Sequence, residues 1–337
     1  MVYKIAWIKG DGIGPEISDA TLHVIEALEL KYNLNLNIVF YDAGDTCLSR
    51  MGVALPAETI EGFKASDVAI KGPVGETSLD VTVKLRQLFD LYANIRPVKN
   101  YPNIECIKSI DVVIVRENTE DLYKGLEFEL ENFAIALRII SEIATKRIAR
   151  IAGEIATKRK GVVTIVHKSN VLRKTCGLFS KAAKEELSHY PVRVNEMYVD
   201  AASAILIKNP ERFDVILTTN MFGDILSDEA AQIAGSLGIG PSGNIGDSKA
   251  LFEPIHGAAP DIAGKNIANP YAMILSFKML LDWLGDKKYD KRLKEASSLL
   301  ESAVINALNM GYKTPDIGGD KKTDEIGHFL HKLIKNL

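Results

Sequence analysis

Short apolar runs recur along this chain, each followed by a loop and then by helical periodicity, and that alternation constrains the fold more than any other feature. Residues 2–8 read as a buried strand running into a glycine loop, then a helix with Pro15 in its first turn and Ile17, Ala20, Val24 and Leu28 on one face. Across 34–40, Leu34, Leu36 and Ile38 alternate with Asn35 and Asn37 at the period of a strand, and 67–70 and 111–115 are further apolar runs ahead of loops. Helical spacing covers 134–158, a strand 162–166, a helix 171–187, a strand ending at Val199, a strand 213–218 and a helix 224–236, and the tail from 272 is largely helical. Strands alternating with helices predict a mainly parallel α/β sheet. The Gly- and Pro-rich stretch 238–270 is too long for an ordinary connection and is predicted to be functional.

Composition removes several classes of function. With 41 Lys plus Arg against 44 Asp plus Glu, the net charge of -3 leaves no basic footprint for nucleic acid. Cys47, Cys106 and Cys176 lie far apart with no CxxC pair, which fits a reducing cytoplasm and neither a disulfide framework nor a zinc site. The first residues lack the features of a signal peptide, and no apolar run reaches a membrane span, so no membrane partner is expected. A length of 337 residues predicts two domains. The hexapeptide shared by 142–147 and 154–159 reads as a solvated helix face.

Gly10-Asp11-Gly12-Ile13-Gly14-Pro15-Glu16 sets three glycines between strand and helix, where backbone can turn tightly and approach a ligand. The third glycine falls one residue early for the dinucleotide fingerprint, so a plain tight turn competes with a ligand loop. Asp224 and Asp228, four apart at the start of a predicted helix, project from one face toward the end of a buried strand, as oxygen ligands for Mg2+ or Mn2+ would. Asp200 offers a third ligand; a helix cap plus a solvated acid is the alternative. Arg86, Arg96 and Arg116 sit near element ends, and their forks would suit a substrate with two carboxylates, although each alone would pass for a surface ion pair. Lys168 follows a buried strand, where α/β enzymes place their sites, and Tyr123 puts a phenol on a polar loop. A snorkelling lysine and a half-buried tyrosine are the bland alternatives, and His256 and Asp261 share that ambiguity.

Together these segments resemble the β-decarboxylating dehydrogenases, the family of 3-isopropylmalate, isocitrate and homoisocitrate dehydrogenases. The specific part is Asn220-Met221-Phe222-Gly223-Asp224-Ile225-Leu226-Ser227-Asp228, then Gly243-Asn244-Ile245-Gly246-Asp247, then His256-Gly257-Ala258-Ala259-Pro260-Asp261-Ile262-Ala263-Gly264. The resemblance implies an isopropylmalate dehydrogenase-like two-domain α/β fold, a central twisted mixed sheet flanked by helices rather than a Rossmann fold. Residues 1–98 and 245–337 would form a nucleotide-side domain, and 99–244 a dimerisation and metal-binding domain. It implies that Arg86, Arg96 and Arg116 grip the malate carboxylates, with Val83 and Asn170 also facing substrate. Asp224 and Asp228, with Asp200 of the partner subunit, would hold Mg2+ or Mn2+. Lys168 of the partner subunit would be the base for the C2 hydroxyl, and Tyr123 would protonate C3. His256, Gly257, Asp261, Ile262 and Asn269 would bind NAD, with Asp261 on the ribose hydroxyls. NADP-using relatives carry Lys-Tyr where this chain has Asp261-Ile262. The implied assembly is a homodimer or dimer of dimers with shared active sites.

Family members read the third substituent from the helix before the first arginine. Bacterial homoisocitrate enzymes place an arginine at the position of Val83, and isocitrate enzymes a serine at that of Asp80 and an asparagine at that of Thr82. An apolar Val83 beside an acidic Asp80 suits a branched alkyl group, which implies 3-isopropylmalate and leucine biosynthesis, with homoisocitrate and isocitrate as alternatives. Two readings from other classes are a non-catalytic regulatory subunit and a metal-dependent hydrolase. Intact Tyr123, Lys168 and aspartates argue against the first, and an idle NAD stretch against the second.

Overall fold

The computed structural model describes residues 2–337. It opens with β1 (Tyr3–Ile8), α1 (Gly14–Tyr32), β2 (Leu36–Tyr41), α2 (Asp45–Met51), α3 (Ala57–Ala65), β3 (Val68–Lys71), α4 (Lys84–Leu88), β4 (Ala93–Lys99) and β5 (Asp111–Glu117). A separate hairpin of β6 (Glu127–Leu130) and β7 (Phe133–Ala136) precedes α5 (Glu142–Thr157), β8 (Val162–His167), α6 (Thr175–Leu187), β9 (Arg193–Tyr198), α7 (Val199–Lys208), β10 (Val215–Thr218) and α8 (Asn220–Ala234). The chain ends with β11 (Pro241–Ile245), β12 (Ala250–Pro254), α9 (Tyr271–Lys288), α10 (Lys291–Asn309) and α11 (Thr323–Asn336).

Ten strands form one mixed sheet in the order β2-β1-β3-β12-β11-β4-β5-β10-β8-β9. Its two outer parts are parallel, as predicted, but β11 and β4 pair antiparallel with each other and with their outer neighbours. Alternate residues of each strand face opposite layers of helices. In the first part Ile5, Trp7, Ile70 and Phe252 pack with α1, α9 and α10, while Ala6, Ile8, Ala69 and Leu251 pack on Phe63, Val81 and Leu85. In the second, Val113, Val115, Val163 and Ile165 meet α5 and α6, and Ile114, Val166 and Ile216 meet α7 and α8. Each fully buried side chain of this size contributes about 1.5–3 kcal/mol.

Three strands escape prediction because their composition reads as loop. β4, β11 and β12 carry Asn94, Pro97, Pro241, Gly243, Asn244 and Pro254, yet their polar groups satisfy one another inside the sheet. Asn94 and Asn118 both donate to Asn244 Oδ1, at 2.8 and 2.9 Å, and Asn244 donates to Glu253 Oε1 at 2.8 Å. The helix predicted from residue 134 begins only at Glu142, where Ser141 Oγ accepts the Ala144 N–H at 3.1 Å. Residues 133–136 are instead β7, a hairpin strand with Phe133 exposed. The helix expected from 171 starts at Thr175, and that expected from 224 starts at Asn220. Among the described residues, no helix is long and apolar enough to cross a membrane.

Candidate active site

Three arginines converge from separate elements. Arg86 lies on α4, Arg96 in β4 and Arg116 near the end of β5, and all three are buried. They line one cavity with Val83, Tyr123, Asp224, Asp228, His256 and Gly257. Buried cations need counter-charge close by. Glu253 supplies it on one side, with Oε1 3.0 Å from Arg86 Nη2 and Oε2 2.8 Å from the buried Lys71 Nζ. Asp224 supplies it on the other, pairing with Arg96 at 3.1 Å and with Arg116. Arg96 also donates to Ser227 Oγ at 2.7 Å and lies 3.4 Å from Asp228. Arg86 Nε and Arg116 Nη2 are buried donors with no partner among the described residues. Leaving such donors unpaired is costly, and a carboxylate in the cavity is the complementary group.

Charge sets the protonation of the site. Burial alone would raise Asp224, but Arg116, Arg96 and the Tyr123 hydroxyl hold it down at about 2. Asp228 goes the other way: burial raises it, against the pull of Arg96. Tyr123 donates to Asp224 Oδ2 at 2.5 Å, and burial with the Asp224 charge pushes its phenol up, so it carries its proton at neutral pH. Arg116 stacks 5.0 Å from the Tyr123 ring centroid.

His256 and Gly257 also form the wall of an adjoining cavity lined by Ile13, Ile262, Asn269 and Asp316. His256 Nδ1 lies 3.0 Å from the Gly257 carbonyl, which assigns the proton to Nδ1 and leaves Nε2 a buried acceptor without a partner. Burial lowers its pKa and keeps it neutral. Asn269 is held by Asp316 Oδ2 at 3.0 Å and by the Tyr271 N–H at 3.0 Å. Apolar walls with acceptors at His256 Nε2 and Asp316 fit a flat heterocycle bearing N–H donors, so the residues suit a nucleotide. Asp261 is exposed beside this cavity's Ile262.

The glycine loop serves close packing. A Cβ on Gly12 would sit 1.9 Å from the Ala258 carbonyl, and the Ile13 N–H donates to that oxygen at 2.9 Å, so loop 10–14 locks the loop around Ala258 in place.

Lys168, Asp200 and Asn170 lie outside both cavities. Lys168 Nζ pairs with Asp200 at 2.8 Å, and Asn170 is exposed. Asp224 and Asp228 are hard oxygen donors on one helix face, suited to Mg2+ or Mn2+, with further ligands left to substrate, water or another carboxylate. Among the described residues, no group of three candidate ligands forms within one chain. Asp80 corrects an expectation: it is exposed and absent from the cavity, because α4 is preceded by a π-turn, Leu79–Val83, that turns Thr82 and Val83 inward instead. Sequence reasoning missed Lys71, Glu253 and Asp316. Glu253 alone had a signal, an acid within an apolar run.

Such an arrangement defines an α/β dehydrogenase acting on small hydroxy acids. The chain belongs to the isocitrate/isopropylmalate dehydrogenase family, whose sequence profile matches residues 4–330. It is 49% identical to 3-isopropylmalate dehydrogenase of Saccharolobus solfataricus, over 99% of this chain and 100% of that protein. It is 44% identical to homoisocitrate dehydrogenase of Methanocaldococcus jannaschii, over 98% of this chain and 99% of the relative. The crystal structure of isocitrate dehydrogenase from Methylococcus capsulatus superposes with a TM-score of 0.92 at 37% identity, covering 99% of this chain and 100% of the other.

Proposed function

We propose that the protein oxidises 3-isopropylmalate with NAD and decarboxylates the product, a step of leucine biosynthesis. The observation that carries this choice is the apolar wall of Val74 and Val83 next to Arg86. A third carboxylate there would face that apolar wall, and the cavity's lysine, Lys71, is already paired with Glu253 at 2.8 Å. Relatives named 3-isopropylmalate dehydrogenase at 49% identity over the full chain support the reading, with homoisocitrate and isocitrate as the alternative substrates.

In this reading Arg86, Arg96 and Arg116 fix the two malate carboxylates, and their buried donors exclude neutral analogues. Lys168 of the partner subunit takes the C2 hydroxyl proton, and Tyr123, protonated at neutral pH, delivers a proton to C3 after CO2 leaves. Asp224 and Asp228, with Asp200 of the partner subunit, would hold Mg2+ or Mn2+, which when bound supplies Lewis-acid stabilisation of the charge that develops. His256, Gly257, Ile262 and Asn269 would hold the adenine end of NAD. Asp261 would take the ribose hydroxyls and repel a 2′-phosphate.

Sharing of sites accounts for Lys168 and Asp200 lying away from their own chain's cavity. The exposed apolar residues Phe128, Leu130 and Phe133 of the hairpin, with Ile143, Val171 and Ile225, supply a surface for a homodimer. Two apolar clusters lying mainly within 1–98 and 245–337, and two mainly within 99–244, support those ranges as the two domains. The unpaired thiols support a reducing cytoplasm. Comparing NADH formation from 3-isopropylmalate, homoisocitrate and isocitrate at one pH and Mg2+ concentration tests the substrate: 3-isopropylmalate is expected to show the highest kcat/KM, and either tricarboxylate ranking first overturns the choice.

A further inference from the structure

We propose that Asp121 and Arg138 are positioning residues that hold Tyr123 against Asp224, a role that rests on the reading of Tyr123 as the acid. Asp121 is fully buried and holds a φ of 65° with a ψ of -148°, a combination that is otherwise almost confined to glycine. Such a conformation persists only where the surroundings over-determine it. Here they do. Oδ1 accepts the Leu122 N–H at 3.0 Å and Arg138 Nε at 2.5 Å, and Oδ2 accepts the Met221 N–H at 3.2 Å and Arg138 Nη2 at 3.3 Å. The Asp121 N–H itself donates to the Ile139 carbonyl at 2.8 Å.

Met221 lies in the first turn of α8, the helix that carries Asp224 and Asp228. That helix lacks a cap of its own. Its N-cap residue, Thr219, makes no side-chain bond to the helix, and the hydroxyl instead accepts from Arg138 Nη2 at 2.9 Å. Asp121 therefore does two things with one carboxylate: it caps α8, and it opens the short 3-10 turn Leu122–Lys124 that presents Tyr123. Asn220 adds a second tie, donating to the Glu120 carbonyl at 3.2 Å. The 2.5 Å contact between Tyr123 and Asp224 thus has both its ends set from the same point.

Arg138 is fixed in turn, lying 4.9 Å over the Phe222 ring and donating to Cys176 Sγ at 3.3 Å. Neither Asp121 nor Arg138 lines the substrate cavity, so neither touches the reacting atoms. A buried ion pair is a weak device for stability alone, since an apolar pair serves as well. What the fork and carboxylate add is a fixed angle between loop and helix.

The test uses the complete enzyme with 3-isopropylmalate, NAD and Mg2+. Asp121→Asn and Arg138→Met are expected to lower kcat about 100-fold, the loss that a ~1 Å misplacement of a reacting group brings, with KM within about twofold of the parent. Arg138→Lys, which keeps the charge, is expected to recover most of that loss. In a Tyr123→Phe background Asp121→Asn should cost far less than in the parent, because most of its effect passes through the one phenol. Near-parental kcat in both Asp121→Asn and Arg138→Met, or a full additional loss in the Tyr123→Phe background, overturns the proposal. If Asp121→Asn does not fold, the Arg138→Met and Arg138→Lys pair carries the same comparison. Parental turnover by Tyr123→Phe alone would remove the acid itself, and the positioning role with it.

Discussion

Tyr123 and Lys168 stand in different surroundings, one in the cavity beside Asp224 and the other paired to Asp200 outside it, and their proposed roles fall in different steps. Lys168→Ala should lose hydride transfer by about 100- to 10,000-fold, the usual range for a missing general base. Tyr123→Phe should keep a first turnover of NADH and lose steady-state turnover, which stopped-flow absorbance separates. Glu117 is fully enclosed at the end of β5, where burial pushes its carboxyl up to about 7 against the N–H groups of Thr119 and Glu120. A carboxyl raised in the folded state binds a proton that the unfolded chain gives up near its ordinary value. Its contribution is therefore complete below the unfolded pKa and is lost as pH rises through about 7. Stability should fall by about 3 kcal/mol from this group between mildly acid and mildly alkaline pH. Denaturant titrations should show that slope flattened in Glu117→Gln; an unchanged slope would refute it. Candidate residues at this scale were legible where a motif carried them. Lys71 and Asp316 were not, because each becomes meaningful only through a partner distant in sequence, Glu253 and Asn269.

Among elements, loop 10–14 and the 256–262 segment depend on each other, since the Ala258 carbonyl occupies the space of a Gly12 side chain. Gly12→Ala must displace that carbonyl and also adopt a φ of 54°, at a cost of about 1–3 kcal/mol for the backbone alone. The expected outcome is a lower melting temperature and a KM for NAD raised about tenfold with the KM for the acid little changed. An unaltered KM for NAD would show that the two loops are not coupled. The sequence carried the outer strands and most helices, because their apolar periods are set by burial on one or both faces. It misjudged β4, β11 and β12, whose asparagines and prolines pass for loop until their polar groups are seen paired across strands. It also read residues 134–136 as helix, because apolar spacing alone does not reveal that these residues face away from the core.

For the whole molecule, the split between the cavity and the Lys168–Asp200 pair predicts that one chain cannot turn over alone. Phe128→Asp with Phe133→Asp should yield monomers by light scattering and abolish activity without unfolding the chain, since both side chains are half exposed at 50% and 59%. Mixing inactive Lys168→Ala with inactive Tyr123→Phe chains should restore part of the activity, because one hybrid site regains both groups; no rescue despite demonstrated chain exchange would count against sharing. Sequence alone determined the α/β class and the family, and it singled out the arginines, aspartates, tyrosine and lysine as candidates, since these follow from local periodicity and from motifs contiguous in the chain. Only the tertiary structure decided that β11 and β4 join the two parallel parts antiparallel, that Glu253 pairs with both Lys71 and Arg86, and that Asp80 faces solvent while Val83 faces the cavity. Those outcomes depend on which side chains meet across strands and helices far apart in the chain, where the balance of burial against charge pairing is struck only after the layers have packed.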